Sequence, residues 1–307
     1  MLGAIIGDIA GSIYEGTPYR NTDFPFFSER GGYTDDTVLT IAIAHAILQN
    51  QPYGASLRYF GRKYTAGYGA NFDSWLRSQD PKPYNSWGNG SAMRVSPVGF
   101  AFDTIKQVLE EAEKTALPTH NHPEGIKGAQ AVALAIFLAR NGAEKNEIKK
   151  EISERFAYDL ERSLKEIRPT YSFKIACQES VPESIIAFLE ANNFEEAVRN
   201  AVSLGGDADT MACIAGSIAH AFYKSIPEKH VTRAREKLPE EFLEIIDSFE
   251  AFAPHAAPTP SFSGTVLEVS GNKVTLECSH KGGRRFQNNL RKFNRHQGKG
   301  NVGSNIT

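Results

Sequence analysis

Thr34-Asp35-Asp36-Thr37-Val38-Leu39-Thr40-Ile41-Ala42-Ile43-Ala44-His45-Ala46-Ile47-Leu48 joins a short acidic cluster to a run that is apolar nearly all round. A run of that kind is expected of a helix buried in a large core. Far along the chain the arrangement returns, with Gly205-Gly206-Asp207-Ala208-Asp209-Thr210 leading into Met211-Ala212-Cys213-Ile214-Ala215-Gly216-Ser217-Ile218-Ala219. Carboxylates at buried helix ends carry a heavy desolvation cost unless a cation meets them. Hard divalent cations take carboxylate, hydroxyl and water oxygens. Four aspartates against two such ions would be close to neutral, so the clusters read as two halves of one metal site. The plainer reading is a pair of helix N-caps, since Thr and Asp cap well and acids favour the first turn. Capping needs one side-chain oxygen, whereas here a Thr and two Asp recur together. Gly205-Gly206 suggests a tight backbone approach just ahead of the second cluster.

The chain has 307 residues, enough to bury a large core, and a net charge of −2 that points globally to neither nucleic acid nor membrane. Residues 261–307 hold eight Lys/Arg against two acids, a local charge of +6 that leaves −8 for the rest. Cys177, Cys213 and Cys278 are odd in number and lack CxxC spacing, which argues against a disulfide framework or a zinc site and fits a reducing cytoplasm. No stretch approaches the roughly 20 apolar residues of a membrane span, and the N-terminus lacks the basic segment of a signal peptide. A cytoplasmic protein is expected.

Near-3.6 spacing of apolar residues predicts helices around 3–14, 37–50, 54–65, 103–115, 125–140, 144–154, 180–190, 194–203, 209–223 and 239–251. The expected fold is therefore all-α: one compact multi-helix domain over 1–253. Long loops are expected over 16–34 and 66–100, and loops of that length are usually functional. Gly3, Gly7 and Gly11 recur every fourth residue and would let another helix come close. On the same predicted helix Asp8 and Glu15 stand two turns apart and share a face, so Glu15 is expected to point into a site. A Pro/Ala stretch over 254–260 reads as a linker. Beyond it, 261–307 reads as a small basic extension with a β-hairpin around Ser270-Gly271-Asn272, partly disordered toward its end.

Five ordered motifs stand out: Gly7-Asp8-Ile9-Ala10-Gly11-Ser12-Ile13-Tyr14-Glu15; Tyr33-Thr34-Asp35-Asp36-Thr37; Trp87-Gly88-Asn89-Gly90-Ser91-Ala92-Met93-Arg94; Thr119-His120-Asn121-His122-Pro123-Glu124-Gly125; and Ser203-Leu204-Gly205-Gly206-Asp207-Ala208-Asp209-Thr210. In this order they resemble the ADP-ribosylglycohydrolase family, over roughly residues 1–225. The resemblance implies an all-α fold with two Mg²⁺ or Mn²⁺ ions at the bottom of a cleft. Their ligands would be Thr34, Asp35 and Asp36 from one helix start and Asp207, Asp209 and Thr210 from the other.

The implied reaction is hydrolysis at C1″ of the distal ribose, which frees ADP-ribose from a protein side chain or a small conjugate. Glu15, Asp35 and Asp209 would be its catalytic residues, Glu15 as acid/base or as a gate over the metals. Gly88-Asn89-Gly90-Ser91 resembles the family's pyrophosphate-binding loop, in which the Ser91 hydroxyl can donate. His120 would help close the distal-ribose pocket, while His122 and Glu124 shape the turn into the next helix. Tyr68, Phe72, Trp75 and Tyr84 lie where an adenine could stack, and core packing competes for each. The resemblance leaves arginine, serine and O-acetyl linkages open. A non-catalytic ADP-ribose-binding module and a two-metal phosphoesterase are the rivals, and the basic tail is open to nucleic acid or an acidic partner.

Overall fold

Helix α1 (Leu2–Gly11) is apolar except for Asp8 and wholly buried, so it must be enclosed by other helices. This computed structural model describes residues 1–253, together with the backbone of three strands between residues 264 and 289. A 3-10 turn (Ser12–Tyr14) closes the first segment. There follow α2 (Asp35–Leu48), α3 (Tyr53–Lys63), α4 (Ala70–Arg77), α5 (Gly90–Met93), α6 (Ser96–Ala101), α7 (Ile105–Ala116) and α8 (Pro123–Arg140). The first unit continues with α9 (Lys145–Phe156), α10 (Leu164–Ile167), α11 (Cys177–Leu189), α12 (Phe194–Val202), α13 (Ala208–Tyr223), α14 (Glu228–Arg235) and α15 (Glu240–Phe252).

The glycine repeat of α1 does what its spacing suggests. A Cβ on Gly3, Gly7 or Gly11 would lie 2.4, 2.1 or 2.5 Å from the carbonyl oxygens of Gly216, Ala212 and Ala208 in turn. The two helices therefore run antiparallel with their backbones in contact, and this closeness sets the N-terminus of α13 beside the C-terminal half of α1. Helix α2 packs against α1, α3 and α15, while α8, buried along most of its length, touches α5, α6, α7 and α13. Around these four helices, α1, α2, α8 and α13, lies one continuous apolar core.

The all-α expectation holds for this unit, with local corrections. The stretch 66–100 is not one long loop, since it contains α4, α5 and α6. In α4, Phe72, Trp75 and Leu76 face inward at helical spacing, a pattern short enough for the surrounding glycines to mask. Helix α14 was not anticipated because it is short and mostly polar, with only His230 and Ala234 buried. The predicted helix 3–14 breaks after Gly11 into the 3-10 turn. No helix among the described residues is long and apolar enough to cross a membrane.

The chain divides into two units, Met1–Pro254 and His255–Thr307. In the second, the hairpin strands Gly264–Ser270 and Lys273–Cys278 pair antiparallel, and a third strand, Arg285–Asn289, adds to the second. The third strand was not anticipated and falls within the stretch expected to be partly disordered. The linker at 254–260 and the remainder of the stretch expected to be partly disordered, residues 290–307, lie outside the described residues.

Candidate metal centre and ligand cleft

Both acidic clusters begin helices, but they use their side chains differently. Thr34 does cap α2, its Oγ1 accepting from the Asp36 N–H at 3.3 Å. Asp207 occupies the cap position of α13 without making a capping bond. Its Oδ2 instead accepts from the Asn89 side-chain amide at 2.8 Å. Just before it, Gly205 takes φ +63°, and a side chain there would strike the Tyr19 backbone and Arg20, the tight approach that the glycine pair suggested.

Asp8 projects from α1 beneath both helix starts and is completely buried. It accepts from the Thr34 N–H at 3.0 Å, Thr34 Oγ1 at 2.8 Å, the Thr37 N–H at 3.1 Å and the Thr37 hydroxyl. One carboxylate oxygen from each of Asp8, Asp36 and Asp209 lies within 4.8 Å of the others, and the same holds for Glu15, Asp207 and Asp209. Asp209 belongs to both groups. Thr210 Oγ1 donates to Asp36 Oδ2 at 3.2 Å, joining the two helix starts directly.

The electrostatics of these acids are unfavourable as they stand. Burial pushes Asp8 up to about 6, and burial with the neighbouring Asp8 charge pushes Asp35 up to about 8. Asp36 and Asp209 are driven well above the usual carboxylate range, first by burial and then by adjacent acids. Asp207 is raised by burial, and Glu15 by burial and Asp207. Asp36 Oδ1 is buried with no hydrogen-bond partner. An orphaned carboxylate oxygen among crowded acids is what a divalent cation would satisfy, so this donor set fits hard-metal binding.

The acids floor a cleft of about 380 Å³. Of the residues singled out from sequence, Glu15, Asp35, Asp36, Asp207, Asp209, Thr210, Gly88, Asn89, Gly90 and His120 line it. Asp35 lines the cleft but joins neither three-acid group. Thr34 is not among the lining residues, its hydroxyl being turned to Asp8. Ser91, expected to offer its hydroxyl to a ligand, is fully buried, and that hydroxyl donates to the Gly125 carbonyl at 2.7 Å. Within the glycine loop, the Gly88 N–H donates to Ser86 Oγ at 3.1 Å and the Asn89 N–H to the Ile175 carbonyl at 2.7 Å.

Asp8 and Glu15 do not share a face. The 3-10 turn redirects the chain, so Asp8 stays in the core while Glu15 emerges at the surface at the end of the turn, its carboxyl still partly enclosed where it lines the cleft. Asp8 was legible as a buried acid but not as a member of the site. Among the aromatics, Phe72 and Tyr84 line the cleft, whereas Trp75 is core and the Tyr68 hydroxyl donates to the Tyr64 carbonyl at 2.6 Å. Phe173 and Ile175 line the cleft without any sequence signal having marked them, and both are exposed. His122 caps α8, accepting from the Glu124 N–H at 3.1 Å, as its place before Pro123 suggested.

The sequence matches the model of the ADP-ribosylglycohydrolase family over residues 1–258. It is 26% identical to the ADP-ribosylhydrolase ARH3 of Mus musculus, across 81% of this chain and 87% of that one. It is also 26% identical to the ADP-ribosylarginine hydrolase Tri1 of Pseudomonas putida, across 73% of this chain and 69% of that one. A solved structure described as an ADP-ribosylglycohydrolase-related protein complex superposes with a TM-score of 0.59 at 23% identity, covering 82% of this chain and 96% of that one. That likeness bears on the fold, which is shared.

Proposed function

Because the chain belongs to the ADP-ribosylglycohydrolase family, we propose that it is a hydrolase that releases ADP-ribose from mono-ADP-ribosylated protein side chains or small ADP-ribosyl conjugates, with two Mg²⁺ or Mn²⁺ ions bound. The observation that carries this reading is the pair of three-acid groups sharing Asp209 on the floor of a cleft that the glycine loop also lines. Asp36, Asp207 and Asp209, with Thr210, are the metal-holding residues, and Asp35 completes the acidic wall. Asp8 joins them from below, its carboxylate fixed by four hydrogen bonds. Bound there, the ions would orient the ribose hydroxyls and raise the acidity of a water.

The chain's own residues supply the rest. Gly90 and Ser91 offer backbone N–H groups to the diphosphate, and Phe72, Tyr84, Phe173 and Ile175 provide apolar walls for the adenosine. Glu15 stands at the edge of the acidic floor with its carboxyl raised by burial and by Asp207. We assign it the proton transfer that accompanies attack of water at C1″: the hydroxide goes to the ribose and the proton to the departing acceptor. A reducing cytoplasm is the setting that the cysteine pattern supports.

One assay separates this reading from its rivals. Incubated with Mg²⁺ and mono-ADP-ribosylated protein, the enzyme is expected to yield free ADP-ribose; AMP would indicate a phosphoesterase, and tight binding without product a recognition module. Parallel arginine, serine and O-acetyl substrates assign the linkage. Glu15→Gln should lower kcat by roughly 10²–10⁴-fold with ADP-ribose affinity kept; unchanged single-turnover release would remove Glu15 from the chemistry.

A further inference from the structure

We infer that Arg94 and Thr119 fix His120 in one tautomer, with its Nε2–H presented as a hydrogen-bond donor to a ligand oxygen at the Gly88–Gly90 loop. The identity of that ligand rests on the function proposed above; the tautomer does not.

Arg94 closes the Trp87–Arg94 motif and is completely buried. A guanidinium has donors and no acceptor. Its Nη2 donates to the Thr115 carbonyl at 2.8 Å and to Thr119 Oγ1 at 2.9 Å, so the Thr119 oxygen is committed as an acceptor on that side. The hydroxyl's own proton then needs an acceptor, and His120 Nδ1 lies 2.7 Å away. The Tyr84 phenol neighbours the same hydroxyl and can accept as well as give a proton, but the side-chain partners within hydrogen-bond distance of Thr119 Oγ1 are Arg94 Nη2 and His120 Nδ1.

A neutral imidazole has one N–H, so a ring that accepts at Nδ1 carries its proton on Nε2. Burial, with Arg94 close by, holds His120 well below its ordinary range, in the neutral form that this logic requires. The Nε2 side faces the glycine loop: a Cβ on Gly90 would lie 3.1 Å from it. Among the described residues none accepts a hydrogen bond from Nε2. The backbone holds the ring in place, since the N–H groups of Thr119 and His120 both donate to the Ala116 carbonyl, at 3.0 and 2.7 Å.

Two consequences follow for the cleft. His120 offers an acceptor oxygen of the ligand a fixed donor and offers no base, so it orients the ligand while proton transfer stays with Glu15. Arg94 and Thr119 are positioning residues that act through it. Because Arg94 and the glycine loop belong to one short segment, loop and imidazole are set by the same stretch of chain.

The test reads the ring directly. Long-range ¹H–¹⁵N spectra of the full chain labelled in histidine, in Mg²⁺ and without ligand, give the state of each imidazole nitrogen, and His120→Gln assigns the signals. Nδ1 unprotonated and Nε2 protonated is the expected result; a proton on Nδ1 overturns the inference. Thr119→Val should then lose the single-tautomer signature and bind ADP-ribose roughly tenfold more weakly, the scale of one buried hydrogen bond, while Thr119→Ser restores both. An unchanged tautomer in Thr119→Val also overturns it. If Thr119→Val does not fold, the wild-type spectrum still decides. Failure of wild-type protein to bind ADP-ribose at all would strike the proposed function and leave the tautomer assignment standing.

Discussion

The Asn89 side-chain amide donates to Asp207 Oδ2 at 2.8 Å, bridging 118 positions of sequence. Through this contact the glycine loop and the acidic floor of the cleft become one assembly. A hydrogen bond to a carboxylate also lowers that carboxylate's pKa, so Asn89 helps keep Asp207 in the form that a cation needs.

Asn89→Ala should therefore weaken metal as well as ADP-ribose. A hydrogen bond to a charged group is worth about 1.5–3 kcal/mol, so a loss of roughly tenfold or more in Mn²⁺ affinity is expected. Separate calorimetric titrations of Mn²⁺ and ADP-ribose check this. Unchanged Mn²⁺ affinity would mean that the loop and the acids act independently.

The raised carboxyls make metal-free protein pH-sensitive in a defined direction. Asp8 and Asp35 are pushed up to about 6 and about 8, the first by burial and the second by burial and Asp8. A carboxyl raised above its unfolded pKa favours the folded state while it is protonated. Its contribution is complete below roughly pH 4 and is lost as pH rises through the folded values. In chelator, Tm should fall between about pH 5 and pH 8.5, and added Mg²⁺ or Mn²⁺ should largely cancel the fall. A chelated Tm that climbs over this range would contradict the electrostatic picture.

Gly7→Ala tests the helix contact that brings the acids together. The new Cβ would lie 2.1 Å from the Ala212 carbonyl oxygen, forcing α1 and α13 apart at about 1–3 kcal/mol or more. Since these helices carry Asp8 and Asp209, metal affinity should drop with stability. Gly32→Ala, where a Cβ meets nothing within 4 Å, should leave both unchanged. Thermal unfolding with and without Mn²⁺ reads the difference; a silent Gly7→Ala would show that the close approach is not required.

We also propose that the catalytic domain ends near residue 253 and that the basic extension has another use. A chain truncated at Pro260 should keep hydrolysis of small free substrates near the wild-type rate. If the extension binds nucleic acid, that binding should fade between roughly 50 and 200 mM salt in the full chain and be absent from the truncated one. A soluble but inactive truncation would place part of the catalytic domain in the tail.

Much of this site was readable in the sequence because its parts are local. Asp35-Asp36 and Asp207/Asp209 each sit beside an apolar helical run, and duplication separated them from ordinary caps. That some helix packs closely on α1 was readable for the same reason, as glycine spacing is a property of one segment, while its identity as α13 was not. What escaped depended on tertiary direction. The turn at Ser12–Tyr14 sends Asp8 and Glu15 to different acid groups, and no periodicity announces it. The Ser91 hydroxyl is taken by Gly125, 34 residues away, a partner that no local motif names. Phe173 and Ile175 line the cleft beside a bridge of Ile175 and Ala176 to the glycine loop, a tertiary contact that no local motif names.

The most direct measurement is the number of Mn²⁺ ions bound per chain at saturation, by equilibrium dialysis with metal analysis, for wild type and for Asp209→Asn, the acid common to both groups. Two ions are expected in the wild type, and loss of both high-affinity sites in Asp209→Asn, with release of free ADP-ribose lost in parallel. A wild type that turns over ADP-ribosylated substrate with no bound divalent ion, or an Asp209→Asn protein that still binds two, would contradict it.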